Sequence, residues 1–278
     1  MQQGHVQYTF HTGEEDLRQI LIAELSAIGF DGFEERDDSL LAFLSAEEND
    51  DAVQAIAEKY MVRADKTFIP EQNWNALWES NFQPVIISDR VAVRAGLHQP
   101  VKNVLHEIII TPKMSFGTGH HATTSMMIRM MSELNFEKKA VLDFGTGTGI
   151  LAILSEKLGA TRIVAIDNDD QSIENAHENF DTNNCSKIQL TEASTANVDI
   201  NFDIILANVI KGVILDNLTA FTKQMVNGGV ILLSGLLADD EQEILEKATR
   251  NGLILDKKIE DKNWICLQMT YKSGDFQR

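Results

Sequence analysis

Val141-Leu142-Asp143-Phe144-Gly145-Thr146-Gly147-Thr148-Gly149-Ile150 decides how the rest of the chain is read. Ala140 to Leu142 is a short apolar run of the kind that forms a buried parallel strand, and Ile150 to Leu154 continues as a helix. Three alternate glycines join them. Lacking a Cβ, glycine lets the backbone turn sharply and lets a ligand lie against it. The spacing is GxGxG, and Ile150 stands where a dinucleotide fingerprint, GxGxxG, has its last glycine. That departure favours a nucleoside with no pyrophosphate to seat on the helix N-terminus. Thr161 to Ile166 predicts the next strand, with Asp167 at its carboxyl end. An acid there in a βαβ unit accepts hydrogen bonds from ribose hydroxyls.

The alternation continues beyond it. Ser172 to Phe180 reads as a helix, Lys187 to Leu190 as a strand, and Phe202 to Leu206 as a continuous apolar strand ending in Ala207-Asn208-Val209-Ile210. A helix over Val213 to Met225 is closed by Asn227-Gly228-Gly229. Val230 to Leu233 follows as a strand, Asp240 to Ala248 as a helix, and Leu253 to Ile259 with Trp264 to Tyr271 as a final strand pair. Alternating βα units with such an end predict a doubly wound, mostly parallel α/β sheet with an antiparallel edge. Ligands lie across the carboxyl ends of such strands. Gly145, Asp167, Ser194-Thr195 and Asn208 stand there. Asn208 either points its carboxamide into the crevice or caps the following helix.

Upstream, Val6 to Phe10, Glu14 to Ile28, Phe33 to Glu35, Leu40 to Leu44, Glu47 to Lys59 and Met61 to Ala64 give the order βαββαβ. This is the order of a small ferredoxin-like α+β domain, expected over residues 1–65. Residues 66–84 read as a linker with a short helix. There Trp74 and Trp78 share a face and Pro84 ends the element. The second domain is expected over residues 85–278, introduced by strands at Val85 to Ile87, Val91 to Ala95 and Val104 to Thr111. Ser115 to Thr124 is a glycine- and hydroxyl-rich loop opening an apolar helix, Met126 to Leu134. Its residues His120 and His121 have no acid or cysteine at ligand spacing, so a hydrogen-bonding loop is preferred to a metal site. Such a loop can hold a carboxylate at a helix N-terminus.

At 278 residues the chain allows one large domain or two ordinary ones, and 44% apolar residues suffice for a full core. A net charge of −18 argues against a direct nucleic-acid surface and is compatible with a basic protein partner. Cys185 and Cys266 are far apart with no CxxC, as expected of reduced thiols. No signal peptide or membrane span is read, so a soluble, cytoplasmic monomer is expected. No Ser/His/Asp order or metal set stands out for nucleophilic or metal catalysis.

The arrangement resembles the class I S-adenosylmethionine-dependent methyltransferases. Within them, Phe116-Gly117-Thr118-Gly119-His120-His121-Ala122-Thr123-Thr124 is similar to the FGTGxHxTT loop of the ribosomal protein L-eleven (L11) methyltransferases, the PrmA family. The glycine stretch, Ala207-Asn208-Val209 and Leu233-Ser234-Gly235-Leu236 fall where that family has DxGxGSG, ANI and LSGI. Trp74 to Val85 resembles its tryptophan-rich linker. Thr146 and Thr148 stand where Cys and Ser are usual, and Ala122 where Pro is usual. Thr111-Pro112-Lys113-Met114 also departs from the pattern. The resemblance implies that Thr124, Gly145, Asp167 and Asn208 contact S-adenosylmethionine. It also implies methylation of the N-terminal α-amine and lysine ε-amines of L11. On chemical grounds the Asn208 carbonyl is expected to accept an N–H and orient the amine, and residues 1–65, which carry no cofactor residue and have the size of a recognition module, are expected to read the substrate. A methyltransferase acting on another amine is one alternative. Release-factor glutamine methyltransferases, however, carry NPPY where this chain has Asn208-Val209-Ile210-Lys211. A catalytically silent nucleoside-binding module is the other.

Overall fold

In the computed structural model, residues 4–30, 32–45, 50–70, 82–113, 116–196 and 200–274 are described. The chain divides into two units, Met1–Leu77 and Trp78–Arg278. In the first, strands β1 (Gly4–His11), β2 (Gly32–Glu35), β3 (Ser39–Ser45) and β4 (Arg63–Pro70) form an antiparallel sheet in the order β2-β3-β1-β4. Helices α1 (Glu15–Ala27) and α2 (Asp50–Lys59) complete the βαββαβ order expected of a ferredoxin-like unit. The period of two sends Val6, Tyr8 and Phe10 to one face, where they pack with Leu40, Leu21, Leu25 and Ile56. The closing strand extends well past the expected Ala64. It pairs with β1 along its whole length, from His11↔Arg63 to Gly4↔Pro70. The expected tryptophan-bearing helix at Trp74 and Trp78 lies outside the described residues.

The second unit opens with β5 (Val85–Ile87), β6 (Val91–Ala95) and β7 (His106–Ile110), a three-stranded sheet whose β6–β7 pair is parallel. Then follow α3 (Ala122–Met131), β8 (Ala140–Phe144), α4 (Ile150–Lys157), β9 (Arg162–Asp167), α5 (Asp170–Thr182), β10 (Ile188–Glu192) and β11 (Phe202–Asn208). The chain ends with α6 (Lys211–Lys223), β12 (Met225–Leu237), α7 (Glu241–Arg250), β13 (Leu253–Asp261) and β14 (Trp264–Tyr271). Seven of these strands form one sheet in the order β10-β9-β8-β11-β12-β14-β13. The first five are parallel, and β14 runs antiparallel to both its neighbours. This is the doubly wound sheet expected from the sequence. Adjacent β8 residues feed opposite cores: Val141 packs with α3, α4 and α5, whereas Leu142 and Phe144 pack with α6 and α7. Burial on both faces explains why these strands read as unbroken apolar runs.

Among the boundaries that differ from the sequence expectation, β12 runs over Met225–Leu237, so Asn227-Gly228-Gly229 lies within the strand and not after a helix, and two helix ends have a visible cause. Helix α6 stops at Lys223, because Met225 already pairs with Phe202 as the first residue of β12. Helix α3 begins at Ala122, a full turn before Met126, because the His121 side chain caps it by accepting from the Thr123 N–H. Asparagine also has a structural use that spacing alone does not announce. Asn175, Asn179 and Asn183 share one face of α5. Asn183 Oδ1 accepts from Ile109 N at 3.0 Å and its Nδ2 donates to Ile109 O at 2.6 Å. Asn179 Oδ1 accepts from Thr111 N at 2.7 Å, and its Nδ2 donates to Thr148 O at 2.8 Å. The carboxamides thus satisfy the open side of β7, which would otherwise be buried with unpaired backbone groups.

Asp143 shares the inward face of β8 with Val141 and is fully buried. Its Oδ2 accepts from Thr146 Oγ1 at 2.6 Å and from Ala152 N at 3.1 Å, while Oδ1 has no partner among the described residues. Burial pushes its carboxyl up to about 7, against those two donors and aided by the charge of Asp167. The unfolded carboxyl loses its proton near pH 3.9. The stabilisation from this protonated group is therefore complete below about pH 4 and lost as the pH rises to about 7. Urea titrations at pH 5, 6, 7 and 8 should show the stability advantage of the wild type over Asp143→Asn shrinking by about 1.4 kcal/mol per pH unit up to pH 7, then levelling. A pH-independent difference would mean that Asp143 is ionised throughout.

Candidate active site

Between β8 and α4 the chain makes a tight turn. Gly145 N and Thr146 N both donate to Ile166 O, at 2.8 and 2.9 Å, tying the turn to the neighbouring strand β9. Gly147 and Gly149 continue with positive φ, at 54° and 79°. A methyl group at Gly147 would collide with the carbonyl oxygen of Phe116, and one at Gly145 with Cγ1 of Val209. The glycines are thus required by close approach of two other segments as well as by backbone conformation.

Both threonines that depart from the family pattern hold this turn. Thr146 anchors it downward to Asp143, as described above. Thr148 Oγ1 donates to Gly117 O at 2.7 Å, and Thr148 N donates to Phe116 O at 3.0 Å. These bonds stitch the Phe116–Thr124 loop onto the glycine turn. Ala122 occupies the first position of α3, where proline is favoured because its fixed φ suits a helix start.

A cavity of about 740 Å³ opens over the carboxyl ends of the parallel strands. One wall is Gly145, Gly147, Ile166 and Asp167, and Ser194 and Thr195 close that side. Asn208, Val209 and Ile210 form the middle. Phe116, whose carbonyl oxygen lies against the glycine turn, His121, Gly235 and Trp264 complete the lining. The lining includes the carboxylates Asp167 and Asp216 and, among the described residues, no lysine or arginine. Its field favours a cation.

Asp167 Oδ2 accepts from Gly147 N at 2.8 Å, and Oδ1 accepts from Asn168 N at 2.9 Å and Asp169 N at 3.2 Å. The carboxylate is thereby oriented into the cavity and ties the glycine turn to β9. Asn208 Nδ2 donates to Thr124 Oγ1 at 3.3 Å. Its Oδ1 is buried and has no hydrogen-bond partner among the described residues. A buried carbonyl oxygen without a donor costs about 1–3 kcal/mol, so it marks a place for a ligand N–H or O–H.

Gly145, Asp167 and Asn208, expected to share a site, line one cavity. Thr124 lies in the first turn of α3, fully buried behind Asn208, and Thr123 is the threonine of that pair that reaches the cavity wall. Asn208 closes β11, and the helix α6 that follows has no side-chain cap, its N-cap being Ile210. The reading that Asn208 caps this helix is therefore not what the structure contains. His121 contributes a ring as well as a cap, and among the described residues no group of three His, Cys, Asp or Glu could hold a metal ion. Trp264 went unread as a site residue. It begins an antiparallel strand, so its amino-terminal end, opposite Leu237, is the one that meets the carboxyl ends of the others. That reversal of strand direction is the signal that could have found it.

Comparison with known proteins agrees with this architecture over nearly the whole chain. Residues 14–272 match the family described as ribosomal protein L11 methyltransferase (PrmA). The chain is 37% identical over 265 residues to a ribosomal protein L11 methyltransferase of Porphyromonas gingivalis, covering 92% of this chain and 91% of that one. It is likewise 37% identical over 276 residues to one of Chlorobaculum tepidum, covering 94% and 95%. Among solved structures, a ribosomal protein L11 methylase from Lactobacillus delbrueckii subsp. bulgaricus superposes with a TM-score of 0.64 at 30% identity, covering 69% of this chain and all of that one. The matched length includes the glycine turn, the Phe116–Thr124 loop and Asn208, and on that breadth the chain belongs to the ribosomal protein L11 methyltransferase (PrmA) family.

Proposed function

We propose that this chain transfers methyl groups from S-adenosylmethionine to the N-terminal α-amine and lysine ε-amines of ribosomal protein L11. The observation that carries the reading is the buried, unpartnered Oδ1 of Asn208 in the wall of an acidic cavity lined by a glycine turn. The residues present fit the cofactor. A turn that excludes Cβ atoms leaves room for a nucleoside, Asp167 offers a carboxylate to ribose hydroxyls, and the two acids suit a sulfonium.

When bound, S-adenosylmethionine supplies a methyl group already activated on a positively charged sulfur. The chain's own residues have then to deliver a neutral amine with its lone pair aligned. A lysine with pKa about 10.4 is neutral in only roughly one molecule in a thousand or fewer near pH 7. Partial burial and a nearby positive charge both lower that pKa. Asn208 Oδ1 accepts one N–H of the neutral amine and aims the lone pair away from itself, and Thr124 holds the carboxamide by its Nδ2. The first unit, whose sheet runs on to Pro70 rather than ending at residue 65, serves as the substrate reader, and the second as the catalytic domain, since every residue assigned to the cofactor falls in the second.

Three outcomes test this reading. Intact-mass analysis of purified L11 incubated with the enzyme and S-adenosylmethionine should show additions of whole methyl groups, located by peptide mapping on the N-terminus and lysines. No mass change would refute it. Asp167→Ala should lower cofactor affinity by about ten- to a hundredfold in isothermal titration, because a charged acceptor is lost. Unchanged affinity would remove Asp167 from the ribose site. Asn208→Ala should depress turnover more than cofactor affinity. The reverse pattern, normal turnover with weak cofactor binding, would assign Asn208 to the cofactor alone.

A further inference from the structure

The strand order sets out the site as a line. Asp167 ends β9 and Asn208 ends β11, two strands away across β8; Trp264 begins β14, two strands further across β12. At about 4.8 Å between strands, Asp167 and Trp264 each lie roughly 10 Å from Asn208, on opposite sides. A nucleoside whose ribose meets Asp167 therefore occupies one half of the cavity. Three rings line the cavity from the glycine turn, where Phe116 O lies against Gly147, to Trp264 at the start of β14. The Phe116 ring centroid lies 5.1 Å from that of His121, with 63° between the planes, and His121 lies 5.0 Å from Trp264 with 70°. All three line the cavity. His121 is held by its Nδ1, which accepts from Thr123 N and pairs with Thr123 Oγ1. Phe116 is 52% exposed, so this ring-lined part faces the entrance.

Resting on the amine-methylation reading, we infer that Phe116, His121 and Trp264 form a cation–π subsite that holds the substrate's methylated ammonium more tightly than its unmethylated one. Rings set at steep angles to one another present several faces to one bound group. An ammonium within about 6 Å of a ring centroid is attracted by the ring's quadrupole. Each methyl added to nitrogen replaces a hydrated N–H by an apolar C–H surface. The cation then sheds water more easily and packs directly on the rings. The unmethylated ammonium, with three strong donors, is better served by water. A partly methylated ammonium is therefore retained beside Asn208 while it gives its proton to solvent and S-adenosylhomocysteine is exchanged for S-adenosylmethionine, and several methyl groups are added before the substrate leaves.

The test uses the full chain and two probes, a short lysine peptide and the same peptide carrying trimethyllysine. Wild type should bind the trimethyllysine peptide more tightly than the lysine peptide in the presence of S-adenosylhomocysteine. Phe116→Leu and Trp264→Leu should each weaken trimethyllysine binding by about three- to thirtyfold, with little change for the lysine peptide. Trp264→Phe should restore most of the loss. In time courses by intact mass, both leucine variants should release more singly methylated product per fully methylated product than wild type does. Trp264 also packs on the core, so the more exposed Phe116 is the cleaner position, and both variants are compared at matched thermal stability. If wild type methylates but the variants leave peptide preference and product distribution unchanged, the subsite is refuted while the methyltransferase reading stands. If wild type transfers no methyl group to any amine, it is the underlying reading that fails. If the variants instead lower the affinity for S-adenosylmethionine and not for S-adenosylhomocysteine, the rings serve the cofactor's sulfonium and the inference is overturned.

Discussion

The structure depends on one constraint: the glycine turn at Gly145–Gly149 is held from below and from both sides at once. Asp143 holds it from the core through Thr146, Asp167 from the adjacent strand through Gly147 N, and the Phe116–Thr124 loop through Thr148. The first tie is local, whereas the other two reach segments distant in sequence. At Gly147 the backbone of Phe116 approaches to a distance that a Cβ would prevent, and at Gly145 and Gly149 the side chains of Val209 and Phe180 do the same. The negative field at the turn comes from Asp167, since burial favours the protonated form of Asp143. The raised proton affinity of Asp143 follows from that burial and, in lesser part, from the charge of Asp167.

Preorganisation extends from the turn along the strand ends. Asp167 is fixed by three backbone N–H groups, Asn208 by Thr124, and His121 by Thr123. The chain's own hydrogen bonds orient these groups, which leaves little ordering to be done at the moment of reaction. Methyl transfer to an amine asks for alignment more than for acid–base or metal chemistry. A site built of oriented acceptors, glycine backbone and rings suits that demand.

Much of this was legible in the sequence because parallel strands announce themselves. A strand buried on both faces is a continuous apolar run, and the residue that ends it lies at the crevice; Gly145, Asp167 and Asn208 are picked out that way, and all three line one cavity. What escaped depended on partners far apart in the chain. Asn179 looks like an ordinary polar residue of α5 until β7 is placed beside it. His121 is not among the residues that commonly cap helices, so α3 was begun a turn too late. Trp264 was hidden by strand direction, since the rule about carboxyl ends points to the wrong end of an antiparallel strand. Thr148 differs from the family's usual residue yet keeps a hydroxyl at the same place, and only the fold reveals that this hydroxyl binds Gly117.

The central claim is that ligands are ordered along the strand ends, with ribose at Asp167, the transferred methyl beside Asn208, and the substrate amine approaching from Trp264. A crystal structure of the full chain with S-adenosylhomocysteine tests it most directly. The account predicts ribose hydroxyls bonded to Asp167, the thioether sulfur facing Asn208, and the Phe116–His121–Trp264 side left open. A nucleoside seated against Trp264, with Asp167 free of it, would contradict the account.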